Sequence, residues 1–187
     1  MFPAGSLEVV SKLPKLQNLS AGGNKLGQPV RMESPSPQPQ PLPTLPPTIK
    51  QLKLDSNFFS SVPRQILSSK LVKLEKLDLS GNNLATIPAE IANLVSLTEL
   101  NLDRNSVVSL PREVGQLKKL KSLSLQFNQI QVHSTSFSER NPQPLPAALF
   151  TSTPITDLNL RGNKMTNTQL VSSDFEILSL FVGKANS

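Results

Sequence analysis

One short arrangement of apolar positions returns along the chain: leucine at the first, fourth and sixth places, asparagine at the ninth and an apolar residue at the eleventh. It reads LEKLDLSGNNL from Leu74 to Leu84, LTELNLDRNSV from Leu97 to Val107 and LKSLSLQFNQI from Leu120 to Ile130. Looser copies are IKQLKLDSNFF from Ile49, ITDLNLRGNKM from Ile155 and LQNLSAGGNKL from Leu16. The six asparagines, Asn24, Asn57, Asn82, Asn105, Asn128 and Asn163, stand 33, 25, 23, 23 and 35 residues apart. A self-similar phrase at a fixed spacing marks a repeat architecture. Twenty-three is the underlying period, with two extra residues in ILSSKLVKL, and about ten and twelve inserted residues account for the two long intervals.

Side chains alternate faces along a strand, so the paired leucines of each L-x-L point to one side and the residue between them to the other. One side is core; the other is a polar, concave sheet. The asparagine falls where the chain leaves the strand, and its amide can both donate to and accept from backbone groups of neighbouring turns that would otherwise be buried unpaired. A structural ladder of six asparagines is expected. The return limbs read V-P-R-Q-I from Val62, I-P-A-E-I-A-N-L from Ile87 and L-P-R-E-V-G-Q-L from Leu110. Proline fixes φ and is tolerated where a short helical turn begins, and the apolar residues three apart face inward. The expected fold is therefore α/β: a right-handed solenoid, an arc with a parallel concave sheet and short helical or 3₁₀ convex turns.

A single domain of six repeats is expected over about residues 16–170. Residues 27–48 read as a proline-rich insertion, 133–144 as a loop insertion and 171–187 as an atypical, apolar C-terminal tail. Before the first repeat, Leu7, Val10 and Leu13 form the remnant of one further return limb.

Composition narrows the function. The chain has 187 residues, 37% of them hydrophobic but only 4% aromatic, so Leu, Ile and Val must fill the core. The absence of cysteine removes disulfides, thiolate metal sites and cysteine nucleophiles, and a cytoplasmic or nuclear address is expected. The opening MFPAGSLEVVSKL lacks the basic and apolar regions of a leader, and no apolar run reaches the length of a membrane span, so a soluble, non-integral protein is expected. Net charge is +6. Arg64, Lys70, Lys73, Arg112, Lys118 and Lys119 fall mostly on return limbs and are expected on the convex side. The alternative function is a basic surface for nucleic acid or anionic membrane, but without interleaved aromatics a solvated charged face is the plainer reading.

The motif and the L-P-x-x-I/V-x-x-L limb within a 23-residue unit resemble the leucine-rich-repeat superfamily, specifically its intracellular Ras-group-related type. The closing stretch LPAALFTSTPITDLNLRGNKMTNTQL resembles the last repeat of proteins like leucine-rich repeat-containing protein 57. Two departures give the expectation of a truncated or alternatively spliced relative: the family usually carries further repeats before this point, and its C-terminal cap continues as a charged helix. The resemblance implies a protein-interaction scaffold, not an enzyme, in some cases within small-GTPase signalling.

The concave positions left free by packing are the expected contact surface. They are Lys53 and Asp55; Lys76 and Asp78; Glu99, Asn101, Asp103 and Arg104; Ser124, Gln126 and Phe127; and Asn159 and Arg161. Both charge signs occur, which suits another protein with patterned charge better than a phosphate backbone, and Arg104 and Phe127 are the expected anchors. No catalytic group, cofactor, metal site or small-molecule substrate is expected. His133 has no second histidine or carboxylate pair nearby, and no phosphate-binding glycine loop is complete. Within the proline-rich insertion, Pro43-Thr-Leu-Pro46 has the form of a polyproline-helix ligand, and Ser34 and Ser36 precede prolines.

Overall fold

The computed structural model describes residues 6–27, 42–68, 70–132 and 145–165. His133, Ser34, Ser36, the 133–144 insertion and the 171–187 tail lie outside the described residues. Six three-residue strands form one open parallel sheet in sequence order: β1 Asn18–Ser20, β2 Gln51–Lys53, β3 Lys76–Asp78, β4 Glu99–Asn101, β5 Ser122–Ser124 and β7 Asp157–Asn159. The register is strict. Leu19, Leu52, Leu77, Leu100, Leu123 and Leu158 stand side by side at the centre of successive strands. Each strand therefore aims one leucine at the core and two polar residues at the concave face.

The core is a stack of apolar layers, each contributed by neighbouring repeats. Leu74, Leu79, Leu84, Leu97, Leu102, Leu120 and Leu125 are completely buried, as are Ile91, Val114 and Leu149 from the convex limbs. The convex limb is a 3₁₀ turn at Ala89–Asn93 and Arg112–Gln116 and an α-helix, α1, at Ala147–Ser152. A proline sits at the start of each: Pro88, Pro111 and Pro146, all in extended backbone. The ring fixes φ, and its missing N–H would have had no intrahelical partner there. Lys118 Nζ donates to the carbonyls of Gly115 and Ser152, placing one cation on the closing turns of both limbs. The limb after Val62 is a turn over residues 64–67, where Ile66 and Leu67 N–H donate to the Pro63 and Arg64 carbonyls in the i→i+3 pattern of a 3₁₀ turn.

A second parallel pair joins β6 Gln131–Val132 to β8 Lys164–Met165 beyond the turns of the last two repeats. No apolar alternation in the sequence announced it. The proline-rich insertion also ends earlier than its composition suggests. Leu42 and Leu45 are buried in the core and Pro46 is buried with them, while Thr48 Oγ1 donates to the Leu16 carbonyl at 2.7 Å. Residues 42–48 thus belong to the packed body, because two leucines provide the apolar area that the prolines do not. Pro43-Thr-Leu-Pro46 is accordingly not presented as a ligand for a polyproline-binding domain.

Candidate functional site

Where each strand ends, the chain must turn sharply away from the sheet. At all six turns the residue immediately before the asparagine has positive φ: Gly23, Ser56, Gly81, Arg104, Phe127 and Gly162. This left-handed corner aims the asparagine side chain back under the sheet. Asn82 Oδ1 accepts from the backbone N–H groups of Asn57 and Phe59, and its Nδ2 donates to the carbonyls of Leu54 and Leu79. Asn105 and Asn128 repeat the pattern, donating to Leu79 and Leu102 and to Leu102 and Leu125, and accepting from Leu84 and Val107. Asn57 and Asn163 extend the ladder on either side, and Asn24 N–H donates to Asn57 Oδ1. No buried side-chain nitrogen or oxygen among the described residues lacks a partner.

The concave face carries the polar residues that flank each central leucine. Gln51, Lys53, Lys76, Asp78, Glu99, Asn101, Ser122 and Ser124 line a shallow open depression of 380 Å³, with Asp103 at its edge. Several of the expected contact residues have local duties. Asp78, Asn101 and Asn159 each accept a hydrogen bond from the backbone N–H two residues ahead, closing the turn off the strand. Asp103 Oδ1 accepts from Ser124 Oγ at 2.6 Å and from Gln126 N–H at 2.8 Å, tying two repeats together. Lys76 and Glu99 pair at 2.6 Å with both side chains nearly half exposed. Such an exposed pair adds little stability and can exchange for contacts with a partner. Asp55 lies over Gly22, where a Cβ would collide with its carboxylate. Lys53 projects from the sheet, and Arg161 from the turn after β7, both exposed.

Arg104 and Phe127 are not in the strands. They occupy the left-handed corners after β4 and β5, on the trailing rim of the sheet. The Arg104 guanidinium carbon lies 5.1 Å from the Phe127 ring centroid. The ring abuts Gly162 on the next repeat, where a Cβ would approach Cε1 to 2.8 Å. Phe127 remains 44% exposed. An L-residue in this backbone region costs roughly 1–2 kcal/mol relative to a right-handed one, a strain that glycine avoids. Two bulky side chains held there in adjacent repeats form a preset cationic and aromatic ridge. Sequence alone offered one signal for it, since Arg104 and Phe127 stand where Gly81 and Gly162 stand in sister repeats.

Chemistry elsewhere is sparse. Glu113 is held below its ordinary pKa chiefly by the side-chain hydrogen bond from Arg112, but the pair is on the convex limb. Among the described residues no cluster of three or more metal-ligating side chains exists, and no helix is long and apolar enough to cross a membrane.

Comparison with known proteins agrees with this geometry. A leucine-rich-repeat family model matches residues 47–107 and a second one matches residues 116–132. A search of curated proteins finds no match. Among solved structures, a leucine-rich-repeat protein of Leptospira interrogans aligns at 30% identity and a TM-score of 0.56, over 72% of this chain and 30% of its own. An internalin of Listeria monocytogenes shares the fold at 20% identity and a TM-score of 0.52, over 72% of this chain and 34% of its own. The leucine-rich-repeat ectodomain of the Arabidopsis thaliana membrane receptor kinase GASSHO1/SCHENGEN3, in complex with CASPARIAN STRIP INTEGRITY FACTOR 2, aligns at 29% identity and a TM-score of 0.50. That match covers 63% of this chain and 13% of the receptor's. The chain thus spans about a third or less of each of these proteins. One register carried through six strands, an asparagine ladder along one rim and the matching repeat models make this chain a member of the leucine-rich-repeat superfamily.

Proposed function

We propose that the chain is a protein-interaction scaffold whose concave sheet and trailing rim receive a partner protein, and that it performs no catalysis. The observation that carries this reading is the Arg104–Phe127 ridge, in which two side chains typical of binding hot spots stand stacked, half exposed and strained. Lys53, Asp55, Lys76, Asp78, Glu99, Asn101, Asp103, Ser124, Gln126, Asn159 and Arg161 supply the surrounding patterned polar surface. The hydrogen-bonded Asp78, Asn101, Asp103 and Asn159 act mainly by fixing its shape. Leucine-rich-repeat proteins commonly mediate protein–protein interaction, and one structural neighbour was solved with a bound factor. The resemblance to the intracellular Ras-group-related type places small-GTPase signalling complexes among the partners to test first, in the cytoplasm or nucleus.

The test is affinity capture from cell extract with the wild-type chain and with Arg104→Glu combined with Phe127→Ala, followed by identification of retained proteins. Specific partners should be lost from the double variant. Identical retention by both chains would exclude the ridge as the contact.

A further inference from the structure

The rim at the opposite end of the strands, where they begin, has a different character. Backbone hydrogen bonds fix its register. Lys50, Glu75, Thr98, Lys121 and Thr156 each donate from N–H to the carbonyl of the preceding member, starting at Gln17, at 2.7–2.9 Å. Two residues earlier in each repeat stand Lys15, Thr48, Lys73, Ser96, Lys119 and Pro154. Three residues earlier stand Val72, Val95 and Lys118 in the third, fourth and fifth repeats. The repeat stacking therefore gathers Lys15, Lys50, Lys73, Lys118, Lys119 and Lys121 along one edge about 19 Å long from the first repeat to the fifth, taking four strand spacings of about 4.8 Å. Lys73 and Lys119 mark the corner where the limb turns into the strand, while the Lys118 ammonium also reaches the closing turns of the convex limbs. Glu75 is the one carboxylate in these rows. Of the nearest acids on the sheet, Glu99 is paired with Lys76 and Asp157 accepts from Ser122. Val72 and Val95 stand at the same register in adjacent repeats among these lysines, 43% and 51% exposed.

We propose that this leading rim docks on an anionic lipid bilayer surface. A row of ammonium groups with no fixed acidic partners, of which only that of Lys118 is held by backbone carbonyls, suits the diffuse negative charge of lipid headgroups. The two valines between them can enter the headgroup layer beside the lysine stems, which favours a membrane over a nucleic acid, whose phosphates offer nothing to exposed aliphatic groups. The rim carries no aromatic residue for base stacking among the described positions. Docking by this edge leaves the concave face and the Arg104–Phe127 ridge open, so both surfaces can be occupied together.

Co-sedimentation of the full chain with phosphatidylcholine vesicles, with and without about 30 mole per cent phosphatidylserine, tests this directly. Binding should require the anionic lipid and fall away at high salt. Reversal of three exposed lysines, Lys15→Glu, Lys73→Glu and Lys119→Glu together, should weaken it about tenfold or more. Val72→Ser with Val95→Ser, which leaves the charge unchanged, should weaken it several-fold, and Arg104→Glu should leave it unaltered. Failure of the wild type to bind phosphatidylserine vesicles, or equal binding by the folded triple variant, overturns the proposal. So does undiminished binding by the valine variant together with tight binding to duplex DNA, which would make the rim a nucleic-acid surface.

Discussion

At the scale of single residues, the asparagine ladder and the left-handed corner beside it are opposite uses of polar chemistry. Asn82 is 5% exposed and satisfies two N–H groups and two carbonyls of neighbouring turns. Asn82→Ala leaves three of those groups unpaired in the interior, since the Leu79 carbonyl keeps its bond from Asn105 Nδ2, and a loss of at least about 3 kcal/mol is expected in urea unfolding, at roughly 1–3 kcal/mol for each unpaired buried group. The corner residues behave in reverse. Arg104→Gly removes the backbone strain of roughly 1–2 kcal/mol while forfeiting an exposed cation–π contact of about 0.5–1 kcal/mol. The variant should therefore melt no lower than wild type yet lose partner capture. A sharp drop in melting temperature would show that the ridge is kept for stability. The ladder was legible in the spacing of the asparagines. The backbone strain was legible only through the glycines at the equivalent corners of sister repeats, because φ is set by how the turn joins two stacked repeats.

At the scale of elements, the convex limbs pack by close approach. A Cβ on Gly115 would meet the Cβ of Ala148, and its carbonyl carbon and oxygen at 2.9 Å, so the turn Arg112–Gln116 and α1 touch backbone to backbone. Gly115→Ala should cost about 1–3 kcal/mol by overpacking, measured by thermal or denaturant unfolding, although its φ is ordinary. The strands offer the complementary case. Leu100 sits at the centre of β4, flanked in register by Leu77 and Leu123. Leu100→Ala should cost about 2–5 kcal/mol, with the larger values if the stack cannot close over the cavity. The prolines that open the limbs were plain in the sequence. The contact of Gly115 with Ala148 was not, since those residues stand far apart in sequence and meet only when the two repeats stack.

At the scale of the whole molecule, each repeat touches only its neighbours, so stability is a sum of local units and their interfaces. The first strand shows the consequence: Leu19 at its centre is half-buried, whereas Leu77, Leu100 and Leu123 inside the arc are buried. Native-state hydrogen exchange should be faster at the Ala21 N–H, which bonds Lys53, than at the Leu79 and Leu102 N–H groups, which bond Asn101 and Ser124. Equal protection at all three would mean that the array unfolds as one cooperative block.

The sequence by itself determined the architecture, because a repeat of fixed length leaves one economical way to bury its leucines: side by side, one per strand, in register. The same repeat identified the asparagines and the polar positions of the concave face. Only the tertiary structure decided which polar residues are spent on closing turns, where the proline-rich segment rejoins the core, and that Arg104 and Phe127 stand on a strained rim outside the strands. It also gathered six lysines from four repeats onto one edge. Those are facts of stacking: residues 23 or more positions apart become neighbours about 5 Å apart, and charge or strain shared between repeats exists only once they are stacked.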